Sequence, residues 1–196
     1  MEFILITGPQ AVGKMTIGLE LEKMMDAKLL FNHQTIDLFA NILGYTPKAF
    51  ELSEMARLEL FKTFVENQET NPTNGLIFTA VVAFDLESDW EIVKNCVSIF
   101  TQAQATVYFI ELESKVEERL KRNTHEQRLA AKPSKRNLAF SKQELLTSLE
   151  KHRLNSHEGE VQAQLPDVKY LKIDNTTLEA TETAMRIHDW MRNKAE

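Results

Sequence analysis

The segment Gly8-Pro9-Gln10-Ala11-Val12-Gly13-Lys14 constrains this chain more than any other. It fits G-x-x-x-x-G-K, a pattern in which glycines let the backbone curl around an anion, amide hydrogens point inward and a lysine ammonium neutralises charge. Such a turn works between a buried strand and a helix, because the helix aims its positive end at the anion. Both neighbours are legible. Phe3 to Thr7 is an apolar run of strand length, and Lys14 to Asp26 carries Ile17, Leu21 and Met24 at helical spacing. A βα unit with a phosphate-holding turn therefore opens the chain, and Gly8 through Thr16 are expected to hold the phosphates of ATP or a close relative.

One position departs from the usual chemistry. The residue after the lysine commonly gives a hydroxyl to Mg²⁺, and here it is Met15, whose thioether is a poor ligand for a hard cation. Thr16 follows one residue late, suited to a further phosphate oxygen or the ion. Mg²⁺ would then be held by phosphates and waters, with Asp85 near the end of the third strand as a candidate carboxylate. A helix-capping role before Trp90 explains Asp85 as well.

The rest of the chain alternates apolar runs with amphipathic stretches, as a parallel sheet covered by crossover helices requires. Leu29 to Phe31 reads as a second strand. A long helical region follows, with Phe50, Met55, Leu58, Phe61 and Val65 facing the core. The turn Asn71 to Gly75 leads into a strand over 76–84, and Trp90, Val93, Val97 and Phe100 mark a helix. Strands are expected at 106–112 and 168–173. Capping-box spacing predicts helices starting at Ser141 and after Thr176, leaving 124–140 as a polar basic loop. Ala180, Ala184, Ile187 and Met191 form the stripe of the last helix.

At 196 residues the chain suits one domain, 1–196. The single cysteine, Cys96, excludes a disulfide framework and reads as a small buried residue. No apolar run reaches membrane-spanning length and no leader is evident, so a cytoplasmic protein is expected. The net charge of −6 argues against general nucleic-acid binding. Charge is uneven, however: Arg119, Lys121, Arg122, Arg128, Lys132, Lys135 and Arg136 stand against Glu126 alone between residues 119 and 136.

With these residues in place the chain resembles the small P-loop kinases: adenylate kinase and other nucleoside monophosphate kinases, shikimate and gluconate kinase, chloramphenicol phosphotransferase and zeta-type toxins. Gly13-Lys14-Met15-Thr16 is similar to the G-K-G-T of adenylate kinase. Phe109 to Leu112 followed by Glu118-Arg119-Leu120-Lys121-Arg122 resembles the strand and arginine-bearing helix before their lid, and Lys172 to Thr176 their last strand and adenine-side loop. The resemblance implies a three-layer α/β fold, a five-stranded parallel sheet of order 2-3-1-4-5 with helices on both faces, and a basic lid over 123–140. It also implies an acceptor-binding region over 32–74.

On that reading Lys14, Arg122 and Arg128 neutralise the transferring phosphate, while Arg119 and Arg136 contact nucleotide; the bland alternative is a solvated basic face. Asp37, four residues after His33, is the candidate base for an acceptor hydroxyl. His33 positions the acceptor and Arg57 pairs an anionic group on it, although a structural histidine is an equal reading of His33. The function this implies is an ATP- and Mg²⁺-dependent phosphotransferase with a small-molecule acceptor and no nucleic-acid or membrane partner. The rivals are a nucleoside monophosphate kinase and a nucleotide-binding module that hydrolyses ATP slowly or not at all.

Overall fold

A computed structural model describes residues 1–195. The five strands are β1 (Glu2–Thr7), β2 (Ala27–Phe31), β3 (Gly75–Thr79), β4 (Thr106–Glu113) and β5 (Lys169–Asp174). They form one parallel sheet in the order β2-β3-β1-β4-β5, as expected. Parallel strands need long crossovers, and helices supply them on both faces.

Strand periodicity explains the two cores. Successive side chains of β1 point to opposite faces. Phe3 and Leu5 enter the layer formed with α3 (Pro47–Glu66) and α4 (Glu87–Gln102). Ile4 and Ile6 enter the layer formed with α1 (Lys14–Glu22) and α9 (Ala180–Ala195), where Ile17, Leu21, Ala184 and Ile187 are buried. The first layer is aromatic: Phe3 stacks on Phe100 at 3.9 Å between ring centres, and Phe61 meets Phe3 edge-on at 5.6 Å.

Several boundaries differ from the sequence expectation, each for a local reason. The long helical region is two helices, α2 (His33–Leu43) and α3, with Thr46 capping the second by accepting from the Ala49 amide. Phe61 and Phe64 are buried, but Phe50 and Met55 are 45% and 57% exposed, because the sheet covers only the C-terminal half of this 20-residue helix. The run 76–84 leaves the sheet after Thr79, where neighbouring β1 turns into the glycine loop. The Phe84 amide then bonds to the Arg153 carbonyl.

The expected basic loop over 124–140 is largely structured. It holds α6 (Glu126–Ala131), a 3₁₀ turn (Pro133–Lys135) and the start of α7 (Leu138–Lys151). Asn137, rather than Ser141, caps α7 by accepting from the Phe140 amide, and the Ser141 hydroxyl instead donates to Asn123. The short helices α5 (Val116–Asn123) and α8 (Glu160–Gln164) complete the chain. Cys96 is buried, and burial pushes its thiol up to about 12.

Candidate active site

The loop between β1 and α1 sits at the C-terminal edge of the central strand. Gly8 has φ 126° and Gly13 φ 113°, backbone conformations that L side chains rarely adopt. A Cβ on Gly8 would also lie 2.3 Å from the Leu112 carbonyl oxygen. Lys14 folds back over the loop, its ammonium donating to the Gly8 carbonyl and, at 2.8 Å, to that of Pro9.

Above this loop opens a cavity of about 1010 Å³. The loop, the start of α2, the segment from His125 to Glu144 and the turn after β5 line it. Five cationic side chains line it, Lys14, Arg122, Arg128, Lys132 and Lys135. Burial holds the Lys14 ammonium well below its ordinary range, and repulsion from Lys132, Arg128 and Arg119 lowers it further. Lys132 is lowered to about 7 by burial and by Arg128 and Lys135, against a partial opposing pull from Asp37. His33 is pushed down to about 2 by burial and by Lys132, Lys135, Arg128 and Lys14, so its imidazole is neutral. Like charges gathered in a partly dry cleft are costly unless an anion joins them. Lys135 has Glu144 as partner; among the described residues Lys14, Arg128 and Lys132 form no salt bridge.

The other candidates fall into three groups. Met15, Thr16, His33, Arg122 and Arg128 line the cavity with Lys14. Arg122 is nevertheless fully employed as a clamp. It donates to the carbonyls of Val12 at 3.0 Å and Asn175 at 2.8 Å, and pairs with Glu118. Arg119 is almost wholly buried and lies under the loop, donating to the Gln10 carbonyl at 2.8 Å. Asp37 sits just behind the wall, where its carboxylate accepts from the Tyr45 hydroxyl at 3.0 Å. Burial raises the Asp37 carboxyl, while Tyr45, Lys135 and Lys132 work against that rise.

Three residues stand apart. Arg57 faces a smaller cavity of about 190 Å³ and donates to Asn32, Thr35 and Ser53. Arg136 is exposed just after the 3₁₀ turn, bonded to the Leu129 carbonyl. Asp85 does not line the cavity and also does not cap α4. It accepts from the Arg153 amide at 2.9 Å and lies 3.4 Å from His152, tying down the exit of α7.

The donor set does not build a protein magnesium site. Met15 offers no oxygen, Asp85 is engaged elsewhere, and no group of three His, Cys, Asp or Glu side chains gathers among the described residues. Thr16 is the hydroxyl within the loop's reach of the cavity.

Sequence reasoning left several site residues without a role. Lys132 and Lys135 belonged to the counted basic run, but nothing in spacing distinguishes a side chain turned inward from a solvated one. Asn175 lay in the segment recognised as the adenine-side loop, and its amide holds the Val12 carbonyl at 2.9 Å. Asn123 joins Arg128 of α6 to Ser141 of α7. Tyr45 carried no motif signal.

The glycine-loop nest, the central strand feeding it and the β2-β3-β1-β4-β5 order define the P-loop kinase-like fold. Solved structures share it across nearly the whole chain. Shikimate kinase from Acinetobacter baumannii, solved with shikimate, aligns at TM-score 0.57 and 16% identity, covering 98% of this chain and 93% of that one. The tunicamycin resistance protein of Deinococcus radiodurans aligns at 0.54 and 14%, covering 97% and 96%. The APS kinase of Mycobacterium tuberculosis, solved with AMPPNP and APS, aligns at 0.52 and 11%, covering 97% of each chain. No family model matches the sequence, and a search of curated proteins gave no match. No described helix is long and apolar enough to cross a membrane.

Proposed function

We propose that this chain is an ATP-dependent phosphotransferase that moves the γ-phosphate to the hydroxyl of a small molecule. The observation that carries the reading is the convergence of Lys14, Arg128, Lys132 and Lys135 on one cavity above the glycine loop. A polyphosphate matches that charge, and phosphoryl transfer needs mainly charge neutralisation and alignment from a protein. The turn 175–180, on the β5 side, would take the nucleoside, leaving the α2 side for the acceptor. At about 1010 Å³ the cavity stands at the top of the range of about 300–1,000 Å³ usual for one ligand, consistent with two substrates.

In the step itself the acceptor oxygen attacks the γ-phosphorus, the bond from phosphorus to the β–γ bridging oxygen breaks, and ADP leaves with that electron pair. The hydroxyl proton goes to Asp37 through the Tyr45 hydroxyl, which already donates to the carboxylate. The raised Asp37 pKa makes it the better base. Arg128 and Lys132 balance charge on the γ-phosphate from the lid. Thr16 offers the chain's hydroxyl toward a magnesium ion carried in by ATP, which would supply countercharge to the phosphates. Arg57 would pair an anionic group on an acceptor that extends into the smaller cavity.

The test is acceptor-dependent ADP release. The chain should form ADP faster with a true acceptor than without one, and Asp37→Asn should remove most of that increment while ATP still binds. ATP binding with no ADP formation across a broad acceptor panel would favour a nucleotide-responsive module and overturn the transferase reading.

A further inference from the structure

The acceptor end of the cavity has a composition that selects among small molecules. Tyr45 and Phe50 line it from the α2–α3 side and Phe140 from the lid helix, and these rings are 51%, 45% and 60% exposed. Ile36 continues the apolar wall. Three exposed aromatic rings around one cleft are an unusual commitment of surface, since an isolated exposed aromatic is common but a cluster rimming a pocket marks ligand contact. The Tyr45 ring is also held in place, because its hydroxyl is fixed to Asp37.

The polar groups at this end are equally selective. Lys132 and Lys135 reach it, His33 is neutral, and Ser134 and Asn32 are uncharged. The carboxylates nearby are already engaged, Asp37 by Tyr45 and Glu144 by Lys135. A polycationic amino sugar would meet repulsion without a free carboxylate to bind its ammonium groups. An open-chain polyol could bond to Asn32, His33 and Ser134, but it has no flat apolar face to cover the aromatic rim, which would leave part of its hydroxyls unmatched against the rings. A flat ring bearing a hydroxyl, neutral or anionic, meets neither obstacle: its faces stack on the aromatic rim and an acidic substituent faces the lid lysines.

We infer that the acceptor is a planar aromatic or similarly apolar hydroxy compound, neutral or anionic, seated among Tyr45, Phe50 and Phe140 with its hydroxyl toward the Tyr45–Asp37 pair. This rests on the phosphotransfer reading and narrows it to a substrate class.

The experiment is ligand binding by calorimetry with the full chain saturated with AMPPNP, using 3-hydroxy-2-naphthoate, gluconate and kanamycin as probes. Hydroxynaphthoate should bind at least about tenfold more tightly than either of the others. Phe50→Ala should weaken it at least about fivefold, Phe50→Tyr should restore it, and AMPPNP affinity should stay within about twofold in both. Gluconate or kanamycin binding as tightly as hydroxynaphthoate, or Phe50→Ala without effect on it, would overturn the assignment while the phosphotransfer reading stands. Failure of AMPPNP to bind the unaltered chain would overturn both.

Discussion

Raising the pH should loosen nucleotide binding through Lys132. In the free protein its ammonium sits among Arg128, Lys135 and the buried cavity wall, and its pKa is lowered to about 7. A bound triphosphate restores the missing countercharge and returns the ammonium toward its ordinary value above 10. Binding therefore takes up a proton at any pH between those two values. Below about 7 the lysine is already charged and contributes no slope; above it, affinity falls toward tenfold per pH unit. Between pH 7.5 and 9 the loss should be about 20-fold, or about 2 kcal/mol. Lys14 is lowered by burial and then by Lys132, Arg128 and Arg119, and can only steepen the fall. Calorimetry with AMPPNP at constant ionic strength, in buffers of differing ionisation enthalpy, reads both affinity and proton uptake. Lys132→Met should bind more weakly at pH 7.5 and show a smaller slope. Constant affinity from pH 7.5 to 9, or an undiminished slope in Lys132→Met, would refute the reasoning.

Arg122→Ala removes donors to Val12 and Asn175, so it should weaken nucleotide binding and lower the thermal midpoint together, by about 1.5–3 kcal/mol for a charged hydrogen-bonding group; a loss of turnover alone would contradict the clamp. Phe61→Ala empties the centre of the aromatic layer and should cost about 3–5 kcal/mol in denaturant unfolding. The fully buried Glu111 accepts from Asn155, Ser156 and Tyr170. Burial alone would raise its carboxyl, but these bonds outweigh it and hold the pKa below the ordinary value. The stability this supplies is present above the unfolded pKa of about 4.3 and lost as pH falls through the folded one. Urea unfolding at pH 5.5 and pH 3.5 should show a smaller drop for Glu111→Gln than for the unaltered chain.

The sheet was legible because its information is local. Phe3 to Ile6 and Val107 to Ile110 are unbroken apolar runs, and a parallel sheet buries both faces of such strands. The loop was legible because two glycines and a lysine at fixed spacing serve one geometry. What the sequence hid depends on tertiary choices. Phe50 and Met55 have the right period for a core, but only the sheet's extent decides which turns of α3 it covers. Asp85 stands where a strand end would place a metal ligand, yet the strand stops at Thr79 and the carboxylate turns to the Arg153 amide. The 124–140 segment looked like loop because its helices are short and polar, stabilised by Asn123, Asn137 and the Lys135–Glu144 pair rather than by an apolar stripe.

The central claim is that the Gly8–Lys14 turn and its ammonium hold a nucleotide's phosphates. Titrating ATP into the chain and into Lys14→Ala, with circular dichroism confirming equal folding, addresses it directly. Saturable one-to-one binding by the unaltered chain and a loss of at least about 100-fold in the variant are expected, as befits a charge-assisted contact to a polyanion. Equal affinity in the two proteins, or no binding by either, would contradict it.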